Sequence, residues 1–146
     1  MAEFEFERTI RRPVDDVFAF LTDFRNGREW QSGIVSLEVL PDGPAQRGTL
    51  VMERRRIHGH DVELNYKVVE LDRARRVAVE GTDGPVEYSG VHEFSETADG
   101  GTRLRFRVSV ELTGGMRLLA GLITPAIRRQ AEADLDRLTE LLEARG

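Results

Sequence analysis

Two periodicities divide this chain. From residue 115 to the end the apolar positions recur every three or four residues, whereas most of the chain before that alternates with period two. On a helical wheel that starts at Met116 and advances about 100° per residue, Ala120, Ile123, Ile127, Ala131, Leu138 and Leu141 fall in one narrow sector, with Leu142 at its edge. Arg117, Arg128, Arg129, Glu132, Asp136, Arg137 and Glu140 lie mostly elsewhere. The spacing predicts a long amphipathic helix whose stripe must be buried against a second layer. Pro125 lies inside it and would remove a backbone hydrogen bond and crowd the carbonyl of Gly121. A kink or break is expected there, with residues 116–124 as a separately angled arm and residues 131–142 packed.

Residues 3–10 open the chain as a half-buried strand: Phe4, Phe6 and Ile10 share one parity and Glu3, Glu5 and Glu7 the other. Arg8 breaks the apolar parity, as at an edge or a cavity rim. Pro13 then starts a helix, since proline loses no hydrogen bond at the first helical position and Asp15 and Asp16 suit the positive end of the dipole. Val14, Val17, Phe18, Leu21 and Phe24 carry its 3–4 spacing, and it ends near Asp23. Residues 25–30 form a second short turn or helix, weakened by Gly27.

Six strands are expected after that, at residues 34–40, 49–57, 62–71, 76–80, 86–96 and 102–112. Turns at 41–44, 58–61, 72–74, 81–85 and 98–101 separate them. The last strand is the clearest, with Leu104, Phe106, Val108, Val110 and Leu112 on one face and Arg103, Arg105, Arg107, Ser109 and Glu111 on the other. Short connections imply an antiparallel meander. With the first strand it makes an α+β fold: a seven-stranded curved sheet around a long C-terminal helix, with two short helices after the first strand. The 146 residues read as one domain, 1–146, without repeat or linker.

Composition narrows the function classes. The net charge of −5 disfavours a general nucleic-acid binder. There is no cysteine, so disulfides, thiol catalysis and thiolate metal sites are excluded. The N-terminal residues lack the apolar core of a signal peptide. The most apolar run, 118–123, is far shorter than the roughly 20 residues that span a bilayer. A cytoplasmic protein without stable membrane insertion is expected, as monomer or homodimer.

Four stretches carry a family resemblance: Ile10-x-x-Pro13-x-x-x-Val17-Phe18-x-x-Leu21-x-Asp23; Trp30 with Gly33-Ile34-Val35-Ser36; Gly48-Thr49 leading to Arg54-Arg55-Arg56 and then residues 59–71; and Glu93-Phe94-Ser95 followed by Gly101-Thr102-Arg103-Leu104 and the closing helix. In this order they resemble the polyketide cyclase/dehydrase-like branch of the START-like superfamily, also called the SRPBCC or Bet v 1-like fold. The resemblance implies a helix-grip fold with a deep apolar cavity between the concave face of the sheet and the long helix. It implies a hydrophobic small-molecule ligand (polyketide, lipid or aromatic compound), no cofactor and no shared catalytic set. The alternative it leaves open is an aromatase/cyclase or dehydratase acting in the same cavity.

Candidate ligand-binding residues follow from position. Trp30, Tyr66 and Tyr88 join an apolar ring to a polar tip, which suits a cavity that orients a mostly apolar ligand; ordinary core packing is the competing reading. Phe106 and Val108 on the last strand, and Met116, Ala120, Ile123 and Ile127 on the helix, would complete the walls. His92 shares parity with Val86, Tyr88 and Phe94, so it should face inward. With Tyr88 four residues away it could polarise a ligand carbonyl, and these two are the candidates for any catalysis. His58 and His60 have a spacing that can hold a metal, but around a glycine turn they read as solvated residues, and no metal is expected. Either Arg54 and Arg56 or else Arg55, joined by Glu53, points to the concave side, where an Arg–Glu pair could bind a carboxylate. Asp134 and Gln130 could each place a polar group in the cavity.

Overall fold

The computed structural model describes residues 2–84 and 86–145. Its elements are strand β1 (Ala2–Ile10), helices α1 (Val14–Thr22) and α2 (Gly27–Trp30), then strands β2 (Ile34–Leu40), β3 (Leu50–Ile57), β4 (His60–Asp72), β5 (Arg76–Asp83), β6 (Val86–Glu96) and β7 (Thr102–Leu112). A 3₁₀ segment at Gly114–Leu119 leads into helix α3 (Ala120–Arg145). The strands form one antiparallel sheet in the order β1-β7-β6-β5-β4-β3-β2. Chain neighbours pair throughout, and β1 closes against the last strand instead of the second. This is the expected meander, with α3 laid across its concave face.

Alternation builds the inner layer. Phe6 and Ile10 of β1, Val51 and Ile57 of β3, Val77 and Val79 of β5, and Leu104, Val108, Val110 and Leu112 of β7 are all buried. They meet Ile123, Leu135, Leu138 and Leu142 of α3 in a single core. Helix α1 seals one end: Val17, Phe18 and Leu21 are buried, and Phe18 meets Phe94 of β6 edge-on at 5.1 Å. The other side of the sheet is charged and solvated, with Arg103 and Arg105 in diagonal ion pairs to Glu7 and Glu5. Arg8 keeps the inward parity of β1 but reaches the margin of α3, where its Nε donates to Asp136 at 2.8 Å.

Three sequence expectations are corrected. The helix does not break at Pro125; α3 runs through it without interruption, and the change of geometry lies at Ala120, where the 3₁₀ segment ends. The carbonyl that Pro125 frees belongs to Gly121, which is exposed, so water can satisfy it. Residues 116–124 are therefore not one arm: the first part is 3₁₀ and the rest belongs to α3. Strand β5 runs on to Asp83, because Gly81 and Asp83 pair with Tyr66 and Asn65 of β4. A turn at 81–85 is thus too early, and Pro85 lies outside the described residues. Strand β4 starts at His60, since only His58 and Gly59 form the turn: both have positive φ (50° and 77°), as in a two-residue type I′ hairpin.

Candidate functional site

The sheet and α3 enclose a cavity of about 110 Å³, taken as the space open to the centre of a water molecule. Its walls are mostly apolar: Leu64, Val79, Val86 and Val110 from the sheet, Leu21 and Phe24 from the α1 end, and Ala131 and Leu135 from α3. Among the candidate residues, Trp30, Tyr66, Tyr88, His92, Phe106, Val108 and Ile127 line it. Met116, Ala120 and Ile123 do not. Ile123 is wholly buried in the core, and Met116 and Ala120 pack against that core as partly buried residues. Ala120 instead lines a separate recess near the start of β1. The reason is position along the helix and not its face: Ile123 lies on the same buried side as Ile127, Ala131 and Leu138, but the stretch before Ile127 packs beyond the cavity, with Ala120 beside Ala2 and Leu112. That face also includes Leu135, which the wheel left out.

Polar groups cluster on one side. On β3 the parity that faces in is Val51, Glu53, Arg55 and Ile57, while Arg54 and Arg56 face water and pair with Glu63 and Asp61. The Glu53 carboxylate is almost fully buried. Its Oε1 accepts from Arg55 Nε at 3.0 Å and lies 2.8 Å from Nη2 in the same ion pair, and its Oε2 accepts from the Tyr66 hydroxyl at 3.4 Å. Arg55 also donates to the side-chain oxygen of Gln31. Burial works against the Arg55 charge, but Glu53, with Tyr66, Tyr88 and Asp134 around it, holds the guanidinium above its ordinary pKa. Both tyrosines are pushed up, first by burial; Glu53 adds to the effect at each, and Arg55 opposes it. They stay protonated.

Helix α3 adds two polar side chains. Asp134 is buried, and its Oδ1 accepts from the backbone N–H and hydroxyl of Ser32 at 3.2 and 3.3 Å. Burial raises its pKa, against the pull of Ser32 and Arg55. The amide end of Gln130 occupies the place a Cβ on Gly33 would take, so a side chain at Gly33 would push that amide aside. Its amide donates to the Arg56 carbonyl at 3.4 Å.

His92 lines the same cavity. It is 9 % exposed and stacks on Phe106. Its Nε2 is the one buried side-chain nitrogen or oxygen without a hydrogen-bond partner among the described residues. Burial lowers its pKa to about 3, so the ring is neutral near pH 7. Tyr88 lies two residues before Gly90 on β6 and folds over it, its hydroxyl oxygen 2.8 Å from where a Cβ on Gly90 would be. The strand thus carries a tyrosine, a gap and a histidine along one face.

Sequence reasoning left the β3 parity open and did not place Leu21, Phe24, Gln31, Leu64 or Leu135 at the cavity. The parity had a signal: Val51 and Ile57 share it with Glu53 and Arg55. Gln31 had none. His58 and His60 sit at the hairpin between β3 and β4, where His60 bonds the His58 carbonyl and Asp61 is taken by Arg56. Among the described residues no group of three or more His, Asp or Glu could hold a metal ion, and no helix is long and apolar enough to cross a membrane.

A curved seven-stranded sheet gripping a long helix over an internal cavity is the helix-grip fold. The chain belongs to the polyketide cyclase/dehydrase and lipid transport family, whose sequence model matches residues 1–143. Solved structures share the fold. TTHA0849 from Thermus thermophilus is 23 % identical with a TM-score of 0.84, covering 99 % of both chains. The Zhui aromatase/cyclase from Streptomyces sp. R1128 is 21 % identical with a TM-score of 0.78, covering 99 % of this chain and 94 % of that one. A START superfamily protein from Mycobacterium smegmatis is 14 % identical with a TM-score of 0.71, covering 98 % and 95 %. At such identities the likeness speaks to fold alone. No match was found among curated proteins.

Proposed function

We propose that this protein binds a compact, mostly apolar and uncharged small molecule in the cavity between sheet and α3. The observation that carries the reading is the unpartnered Nε2 of His92 beside an apolar cavity. A buried polar atom without a partner costs about 1–3 kcal/mol, and a ligand hydroxyl or carbonyl would supply the missing bond. The ring is neutral, so it favours a neutral partner over an anion. Arg55 is already bonded to Glu53 and Gln31, which lowers its value as an anion site. The space also limits size: a cavity of about 150 Å³ takes a benzene-sized guest, so about 110 Å³ suits a single-ring compound and a lipid-length chain would need the walls to part.

The alternative is an aromatase/cyclase or dehydratase in the same cavity. It is favoured by the gathering of His92, Tyr88, Arg55 and Asp134 around one space. In such a step one residue removes a proton from a carbon beside a ligand carbonyl and another protonates the carbonyl oxygen. A histidine with a pKa of about 3 is a weak base at neutral pH, which places binding ahead of chemistry.

A thermal-shift panel of single-ring phenols and ketones, each paired with its parent hydrocarbon, tests the proposal. The polar member of each pair should stabilise the protein more, and His92→Phe should erase the difference. No shift from any member, or a preference that survives in His92→Phe, overturns it. Conversion of a panel ketone at a rate lost in His92→Phe favours the enzyme.

A further inference from the structure

The junction between β7 and α3 has a surface unlike the rest of the molecule. Leu118 is 91 % exposed and Leu122, one turn on, 55 %. Met116, Leu119 and Ala120 pack inward against the core, so the segment is anchored on one side and offers leucines on the other. From Leu112 to Ala131 the chain holds no carboxylate; its charged residues are Arg117, Arg128 and Arg129. This occurs in a protein whose net charge is −5. Arg117 and Arg129 are exposed, and among the described residues neither is in an ion pair. Arg128 pairs with Glu132 and lies over the rings of Phe4 and Phe6. Glu111 and Glu132 bound the stretch on either side.

We propose that this segment docks the protein on an anionic lipid surface, with Leu118 and Leu122 in the acyl boundary and Arg117 and Arg129 against lipid phosphates. Charge selects the occupant. A second copy of the chain would bring the same arginines face to face, and two leucines bury far less than the roughly 1,200 Å² of a stable interface. An anionic bilayer supplies the opposite charge and a place for isolated leucines. The segment also roofs a recess of about 330 Å³ lined by Ala2, Glu111, Leu112, Arg117 and Thr124, and Val110 borders both this recess and the main cavity. Docking would bring this recess, and through Val110 the wall of the main cavity, next to the membrane; any use of that placement by a ligand, unlike docking itself, rests on the proposed binding function.

Co-sedimentation with vesicles tests the docking. The protein should pellet with phosphatidylcholine mixed with phosphatidylglycerol, far less with phosphatidylcholine alone, and less in high salt. Leu118→Ser with Leu122→Ser should weaken partition at least roughly tenfold, and Arg117→Ser with Arg129→Ser roughly thirtyfold. Melting temperatures should hold, because these side chains are exposed; should the leucine pair fail to fold, Leu118→Gln alone gives the reading. No sedimentation, equal binding to both vesicles, or binding indifferent to the substitutions overturns the proposal. So does light scattering that shows a dimer dissolved by the leucine substitutions. Ligand shifts measured without vesicles report on the cavity separately, so either idea can fail alone.

Discussion

The His92 imidazole lies flat on the ring of Phe106, 4.1 Å between centroids and 5° between planes. The contact excludes water from the histidine and holds it neutral. Its folded pKa of about 3 lies below the ordinary 6.5, so the unfolded chain takes up the proton first. The neutral ring's contribution is complete above about pH 6.5 and is lost as pH falls toward 3, with a total on the order of 5 kcal/mol. Asp134, whose pKa is raised, works in the opposite sense, its contribution being lost as pH rises through its folded value. Urea unfolding from pH 7 to pH 4 should therefore show falling stability. His92→Phe should flatten the profile.

The Glu53–Arg55 pair predicts an asymmetry between single and double substitution. Glu53→Gln leaves Arg55 charged in a mostly buried place, and loss of one member of a buried pair costs about 3–5 kcal/mol. Replacing both, as Glu53→Leu with Arg55→Met, removes the unpaired charge and should recover most of that loss. Equilibrium denaturation of the two variants measures the difference. Equal damage in both would mean that the pair matters through Gln31 and Tyr66 instead of through its own charge balance.

Gly90 and Tyr88 should be coupled. A methyl at Gly90 meets the Tyr88 hydroxyl at 2.8 Å and Phe106 at 3.3 Å. Gly90→Ala should destabilise by about 1–2 kcal/mol, and by less on a Tyr88→Phe background, where the crowding oxygen is gone. A double-mutant cycle by urea unfolding gives the coupling energy.

Pro125 is exposed within α3 and denies Gly121 a helical hydrogen bond. Pro125→Ala restores that bond, while the unfolded chain gains freedom. The net expectation is about 1–2 kcal/mol of added stability, read as a higher melting temperature.

Much of this was legible in the chain because alternation is a direct imprint of a two-sided sheet. Strand β7, with arginines on one parity and aliphatics on the other, fixed both its face and its partner layer. His92 could be turned inward from its parity with Phe94 alone. Three failures share one cause: local chemistry was outweighed by its surroundings. Gly81 reads as a turn but is held in strand by Tyr66. Pro125 reads as a break but sits where its freed carbonyl meets water. Met116 reads as the start of a helical stripe but belongs to a 3₁₀ segment. The polar side of the cavity was less visible, since three arginines in a row carry no parity of their own and must take it from Val51 and Ile57.

The central claim is that the cavity holds a compact, neutral, mostly apolar guest. Native mass spectrometry of the protein purified from its own host, beside the denatured sample, addresses it most directly. A bound species of one defined mass should appear, be released on denaturation, and be depleted when Ala131→Met fills the cavity wall. A protein that carries nothing, or a species whose occupancy Ala131→Met leaves unchanged, would contradict the account.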